Sequence, residues 1–264
     1  MPELICSFVP MRGMDIFMKS NYDELSKTYD ISRKANSDTI STIISTGKIS
    51  KDSIVVDFGC GTGNFTCAFK DRTNCTIYGV EPSDGMREKA AKKSENITFM
   101  KGDHSLIPIE SGSVDLIYMT DVIHHVPDIS QMFLEFKRIL KNHGKVCIVT
   151  ESHVQLENRF WVRHFPSTVD VEKNRYPDIT SIIDKAVHNG FDFFTVYSTE
   201  CHKSHMITKE FVNLVENKGF SMFHNISDED YEKGLSLLKW DYENNILQNY
   251  THGETFIWVE KTEN

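Results

Sequence analysis

Apolar positions along the chain follow two alternating periods. Short β-branched or apolar runs begin at Ile54, Cys75, Ile97, Val114 and Lys145 and read as strands. Between them lie stretches of helical spacing: Ile40, Ile43 and Ile44; Phe65, Ala68 and Phe69; then Ile129, Met132, Phe133, Phe136, Ile139 and Leu140. Ser37 is placed to cap the first of these helices, and Gly144 to stop the last. Strands alternating with helices predict an α/β fold, a doubly wound sheet that is mostly parallel. Past Thr150 the period changes. Residues 151–177 mix Phe160, Trp161 and Phe165 with Arg159, Arg163, Arg175 and Pro166, a composition that suggests a lid over a pocket, with a packed structural insertion as the rival. A helix over 180–189, a sixth strand over 191–197 and helices capped by Thr208 and Ser227 follow. The run from Thr255 to Lys261 reads as the last strand.

The first strand leads into the chemistry. Ile54, Val55 and Val56 form it, Asp57 sits at its end, and Phe58, Gly59, Cys60, Gly61, Thr62 and Gly63 follow before the next helix. Strand, glycine turn and helix make a nucleotide-binding crevice. The third glycine comes one residue earlier than in the dinucleotide pattern G-x-G-x-x-G. Asp57 repels phosphate but suits a ligand bearing a cation or amine. Glu81 ends the second strand about 20 residues after the glycines, the spacing at which a carboxylate reaches ribose hydroxyls. One carboxylate can accept from two hydroxyls at once.

These motifs resemble the class I S-adenosylmethionine (SAM) methyltransferases. The block Thr120-Asp121-Val122-Ile123-His124-His125-Val126-Pro127-Asp128, between a fourth strand and an amphipathic helix, resembles the methyltransferase type 11 pattern in particular. The resemblance covers roughly residues 22–150. It departs from the usual text only at His143-Gly144, where Gly-Gly is customary. It implies a Rossmann-like, seven-stranded sheet with an antiparallel last strand, strands six and seven forming an antiparallel edge. A helical lid or insertion would occupy the C-terminal half. It also implies a division into an extension over 1–20, a SAM-binding core over 21–150, and a lid with the final strands over 151–264. SAM is the implied cofactor and S-adenosylhomocysteine the product. The cofactor-binding residues it implies are Asp57, Gly59, Cys60 and Gly61 in the loop, then Glu81, Pro82 and Met86. Asp103 and His104 would meet the adenine, and Thr120 closes the set on the fourth strand. Tyr29 and Arg33, in a Tyr-Asp-x-x-Arg segment, would lie across the cofactor; a packed helical face is the plainer reading of that stripe, which begins at Tyr22. Tyr22, Arg159, Phe165 and Arg175 are candidates for the acceptor side.

His124 and His125 stand where sheet topology puts the reacting centre, and either could serve as a general base. Structural packing of His125, with His124 towards solvent or substrate, is the rival. Asp121 with the two histidines, and Cys201 with His202 and His205, have metal-ligand chemistry, but neither cluster completes a ligand set; the second reads as a polar loop and no metal is assigned.

The formal net charge of −9 disfavours nucleic acid as a partner, and the densest cationic patch, Lys89 with Lys92 and Lys93, reads as a solvated helix face. The 6 cysteines form no C-x-x-C and read as reduced thiols. No apolar run is long enough to span a membrane, and the expected compartment is the cytoplasm. The function so implied is methyl transfer to a small-molecule acceptor. A SAM-binding sensor or partner subunit without catalysis, and an NAD-dependent oxidoreductase, are the alternatives.

Overall fold

The computed structural model describes residues 36–263. Tyr22, Tyr29, Arg33 and the extension expected over 1–20 lie outside the described residues. The chain runs through α1 (Ser37–Gly47), β1 (Ile54–Phe58), α2 (Asn64–Thr73), β2 (Thr76–Val80), α3 (Asp84–Ala91), β3 (Thr98–Met100) and β4 (Val114–Thr120). A 3₁₀ turn (Ile123–His125), α4 (Ile129–Ile139), β5 (Leu140–Thr150), α5 (His153–Glu157), α6 (Thr168–Arg175) and α7 (Ile179–His188) follow. The remainder is β6 (Phe191–Ser198), β7 (Cys201–Met206), α8 (Lys209–Glu216), α9 (Asp228–Glu243), β8 (Leu247–His252) and β9 (Thr255–Lys261).

Seven strands form one sheet in the order β3-β2-β1-β4-β5-β9-β6. The pairs from β3 through β5 are parallel, and β9 is antiparallel to both of its neighbours. Two apolar layers hold the sheet between helices. Val56, Ile117, Ile148 and Ile257 face α4 and α7 through Phe133, Phe136 and Ile182. Val55, Tyr118, Cys147 and Trp258 face α1 and α2 through Ile40, Ile43 and Phe69. Alternate residues of each strand thus feed opposite cores, as a sheet covered on both sides requires.

Three local expectations are corrected. Asn36, not Ser37, caps α1, its side chain accepting from Asp38 N–H at 2.9 Å. The helix expected to run to Gly144 ends at Ile139, and Leu140 already belongs to β5, whose pairing with β4 is irregular before Lys145. Gly144 lies inside that irregular stretch, where a Cβ would come within 2.9 Å of both Leu140 and the Lys141 carbonyl. Strands six and seven form the expected antiparallel edge, as β6 and β9. Only β9 is reversed, and it lies inside the sheet, with β6 outermost and parallel to β5. Burial gives the reason: Thr255 through Val259 are all buried, whereas β6 has Phe191 buried and Asp192, Phe193 and Phe194 exposed. Finally, Cys201 to Met206 is not a loop but β7, paired antiparallel with β8 as a separate two-stranded ribbon.

Phe165 and the segment that joins the ribbon's two strands build a third apolar cluster, with Ile207, Val212, Val215, Met222, Phe223, Tyr231, Leu235 and Leu238. Beneath it, the buried Asp241 accepts from Gln248 at 2.9 Å and pairs with His164 Nε2 at 2.9 Å, tying α9 to β8. Among the described residues no helix is long and apolar enough to cross a membrane. Phe165 is fully buried against Phe223 and Tyr231. Phe165→Ala should therefore cost about 3–5 kcal/mol by opening a cavity. Chemical denaturation followed by fluorescence checks this, and a loss below about 1 kcal/mol would show that Phe165 does not hold the cluster together.

Candidate active site

The sheet order reverses between β1 and β4, and crevices at such a switch point, beyond the carboxyl ends of the strands, are where doubly wound folds bind ligands. The candidate residues of the core gather on that edge. Asp57 is the fourth residue of β1. It shares a face with Val55 and sits opposite Tyr118 of β4, so its carboxyl enters the apolar layer under α2. Asp57 is 2% exposed, and the Thr66 hydroxyl donates to it at 2.6 Å. Burial is the main force on this group and pushes its pKa up from 3.8 to about 7. The Thr66 hydrogen bond opposes that rise. The Tyr118 hydroxyl, also buried and without a well-formed hydrogen bond, faces the same carboxyl and adds a pull in the same direction as Thr66. The charge of Glu81 works the other way.

The loop after β1 runs through Gly59, Gly61 and Gly63, all at positive φ. At Gly59 two constraints coincide. Its φ is 74°, and a Cβ there would lie 2.6 Å from Val122 in the β4 loop. The glycine therefore serves contact between two loops of the protein as well as approach by a ligand. Cys60 is 9% exposed, and burial pushes its thiol pKa well up, so it is a packing residue of the loop and not a nucleophile.

Glu81 joins this loop to the next. One carboxylate oxygen accepts from Gly61 N–H at 3.0 Å and the other from Ser83 N–H at 2.9 Å. Burial raises its pKa, and the two backbone N–H groups and the Arg87 charge restrain the rise. Ser83 in turn caps α3 by accepting from Met86 N–H. Pro82 is exposed at the rim, and Met86 is 2% exposed in the first turn of α3. Asp103, after β3, folds back on its own loop: one oxygen accepts from Ser105 N–H (2.8 Å), Ser105 Oγ (2.7 Å) and Leu106 N–H (3.2 Å). Those bonds, the Ser105 hydroxyl first, lower its pKa. Its other oxygen appears in none of these bonds. His104 beside it is half-buried.

Thr120 ends β4, half-buried, and Asp121 follows at φ 56°, a left-handed conformation that side chains rarely adopt. The Asp121 N–H donates to Val149 at 3.0 Å, so β5 holds the strained residue in place. Ile123, 1% exposed, anchors the 3₁₀ turn that presents His124 and His125. The His124 ring lies 4.0 Å from that of His125 and stacks on Tyr176 at 4.0 Å and 18°.

The acceptor-side candidates fare differently. Phe165 does not face the edge; it is in the third cluster. The Arg159 guanidinium is 11% exposed and donates to Glu151, to Glu172 at 2.7 Å and to the Tyr176 hydroxyl at 3.1 Å. Burial works against its charge, but hydrogen bonding and the charge of Glu151 prevail and raise its pKa. Arg175 pairs with the other oxygen of Glu172 at 2.6 Å. Arg159 thus ties α6 to the segment just after β5, and Arg175 braces Glu172 from within the helix. Tyr176, which sequence reasoning passed over, stands nearer the histidines than any of these candidates; an isolated Tyr before Pro177 carried no periodic signal. Among the described residues no group of three or more His, Cys, Asp or Glu side chains is placed to hold a metal ion.

Comparison with known proteins agrees with this architecture. Residues 56–148 match the family described as Methyltransferase domain. An uncharacterized methyltransferase of Anoxybacillus flavithermus is 30% identical over 148 residues, covering 54% of this chain and 69% of that protein. The ubiquinone/menaquinone biosynthesis C-methyltransferase UbiE of Campylobacter jejuni is 29% identical over 182 residues, 66% of this chain and 73% of the relative. A solved structure from Anabaena variabilis, described as a methyltransferase of an antibiotic biosynthesis pathway, superposes with a TM-score of 0.66 at 22% identity, over 84% of this chain and 96% of that one. The chain belongs to the SAM-dependent methyltransferases of class I, within the type 11 domain family. Its cofactor is SAM. The donor set fits that group: two buried carboxyls with raised pKa values, on adjacent strand ends, suit an ammonium and a diol and not a phosphate.

The raised pKa of Asp57 has a consequence for stability. As pH rises from about 4, the unfolded chain gives up this proton first, while the native protein keeps it until about 7. Asp57 therefore makes folding progressively less favourable across that window, and the penalty is complete above pH 7. Asp57→Asn removes it. Thermal unfolding of the two cofactor-free proteins at pH 5 and pH 8 should show the wild type losing more stability than the variant; equal losses would contradict the buried, protonated carboxyl.

Proposed function

We propose that the protein transfers the methyl group of SAM to a small-molecule acceptor by direct displacement. The observation that carries this reading is the pair of buried carboxyls at the glycine loop, Asp57 held by Thr66 of α2 and Glu81 by Gly61 of the loop. SAM supplies an electrophilic methyl on a sulfonium. Everything else falls to the chain's own residues. Glu81 accepts from the ribose hydroxyls, its orientation set beforehand by Gly61 and Ser83. Asp57 favours the amino end of the cofactor, whose positive charge offsets the cost of burying the carboxylate. The loop of Gly59 and Gly61 gives the cofactor backbone to lie against, and Met86, Pro82, Asp103 and His104 border the adenine side. Thr120 and the turn after it form the floor beneath the methyl.

The remaining task is to align the acceptor with the methyl and exclude water. His124 and His125, at the end of β4, are placed to take the proton that a hydroxyl acceptor gives up; an amine or thiol already in its neutral or anionic form has less need of a base. The third cluster, tied down through Arg159, Glu151 and Glu172, bounds the acceptor side. A formal net charge of −9 supports a small acceptor over nucleic acid. The Campylobacter relative, named as a C-methyltransferase of ubiquinone/menaquinone biosynthesis, supports the same reading.

Calorimetric titration tests the cofactor site. SAM and S-adenosylhomocysteine should bind and NAD should not. Glu81→Ala should weaken SAM binding by roughly 1–3 kcal/mol, the scale of lost charged hydrogen bonds; unchanged affinity would remove Glu81 from the site. For the reaction, incubation with methyl-labelled SAM and a deproteinised small-molecule extract should label a small product. Label appearing only in added RNA or protein would overturn the proposed acceptor class.

A further inference from the structure

One aromatic side chain connects the histidine turn to the C-terminal cluster. Tyr176 follows α6 and is 5% exposed. One face of its ring carries the His124 imidazole, 4.0 Å away and 18° from parallel. The Arg159 guanidinium stands 5.3 Å from its ring centroid and also donates to its hydroxyl at 3.1 Å. The backbone is held as well: its N–H donates to the Glu172 carbonyl at 2.8 Å, and its own carbonyl accepts from His153 Nε2 at 2.8 Å. Arg159 is itself 5.2 Å from the Trp161 ring, which stacks on Phe220 of the third cluster at 5.4 Å and 25°. Rings and guanidinium therefore form a continuous column from His125 to the C-terminal subdomain.

The consequence falls on His124. An exposed imidazole turns easily about χ2, whose wells are broad. Held flat on a fixed ring, it cannot turn a quarter-rotation without driving its edge into the face of Tyr176. Which ring atoms of the histidine pair face the sheet edge is thereby decided before any acceptor arrives. We propose that Tyr176 is the positioning residue for His124: it fixes the plane of the imidazole at the methyl-transfer edge, and Arg159, clamped by Glu151 and Glu172, fixes Tyr176. This rests on the reading of the histidine pair as proton acceptor. The hydroxyl has its own part, because its bond to Arg159 stops the phenol ring from sliding across the imidazole.

Histidine-labelled protein saturated with S-adenosylhomocysteine provides the test. The His124 ring protons should carry the shift induced by the Tyr176 ring current. Tyr176→Leu should abolish that shift, and Tyr176→Phe should retain it. Calorimetric affinity for S-adenosylhomocysteine should stay within about twofold in both variants, showing an intact fold and cofactor site. Methyl transfer from labelled SAM into the small-molecule extract should fall about tenfold or more in Tyr176→Leu, with Phe largely restoring it. Combined with His124→Asn, Tyr176→Leu should cause no further loss, since one residue acts through the other. His124 resonances unchanged by Tyr176→Leu, or losses that multiply in the double variant, would overturn the proposal. If neither His124→Asn nor His125→Asn slows transfer, the base reading fails, and the positioning role falls with it even though SAM still binds.

Discussion

Two carboxyls taken out of water at neighbouring strand ends set the terms for this protein. Asp57 and Glu81 are both buried, both have raised pKa values, and the charge of Glu81 adds to the rise at Asp57. Isolated, such groups are a liability. The chain meets that liability with local donors: the Thr66 hydroxyl for Asp57, and the N–H groups of Gly61 and Ser83 for Glu81. Those donors lie in the glycine loop, in the first turn of α2 and at the N-cap of α3. The same hydrogen bonds that make the carboxylates tolerable therefore shape the loop. In the proposed reading a ligand with a cationic end and a vicinal diol would complete the compensation, so that binding and folding would act on the same groups.

The rest of the edge depends on this arrangement in a definite order. With Gly59 packed against Val122, the first loop supports the turn after β4. That turn strains Asp121 into a left-handed conformation and presents the two histidines. Their outer contact is Tyr176, supplied from beyond β5. The cofactor side of the site is thus built from the parallel half of the sheet. In the proposed reading the acceptor side comes from segments inserted after β5 and between β6 and β9. Such a division lets one half keep its cofactor while the other varies in what it admits.

The parallel half could be read from the sequence because its physics is local. Val55 and Val56 mark a strand buried on both faces, Gly59 and Gly61 a turn, and Glu81 stands at a spacing that geometry requires. The reversed position of β9 was written in Phe256-Ile257-Trp258-Val259, an unbroken apolar run that demands two covered faces, against the polar interruptions of β6. The β7–β8 ribbon had no such mark: its first strand is exposed along its whole length, so no buried face imposed an alternation. The roles of Arg159, Phe165 and Arg175 were equally hidden. Composition cannot say whether an Arg meets a ligand or a Glu thirteen residues along the chain, as Arg159 meets Glu172. Tyr176 escaped for the same reason: its partners come from α5, the segment after it, α6 and the turn after β4, and only the folded chain assembles them.

Co-crystallisation with S-adenosylhomocysteine tests the central claim most directly. Both ribose hydroxyls should lie within hydrogen-bond distance of the Glu81 carboxylate. The amino end should lie at the turn between Asp57 and Gly59, and the sulfur should point over the end of β4 towards His124 and His125. A cofactor whose ribose is held by another residue, or which lies away from the β1 and β2 ends, would contradict the account.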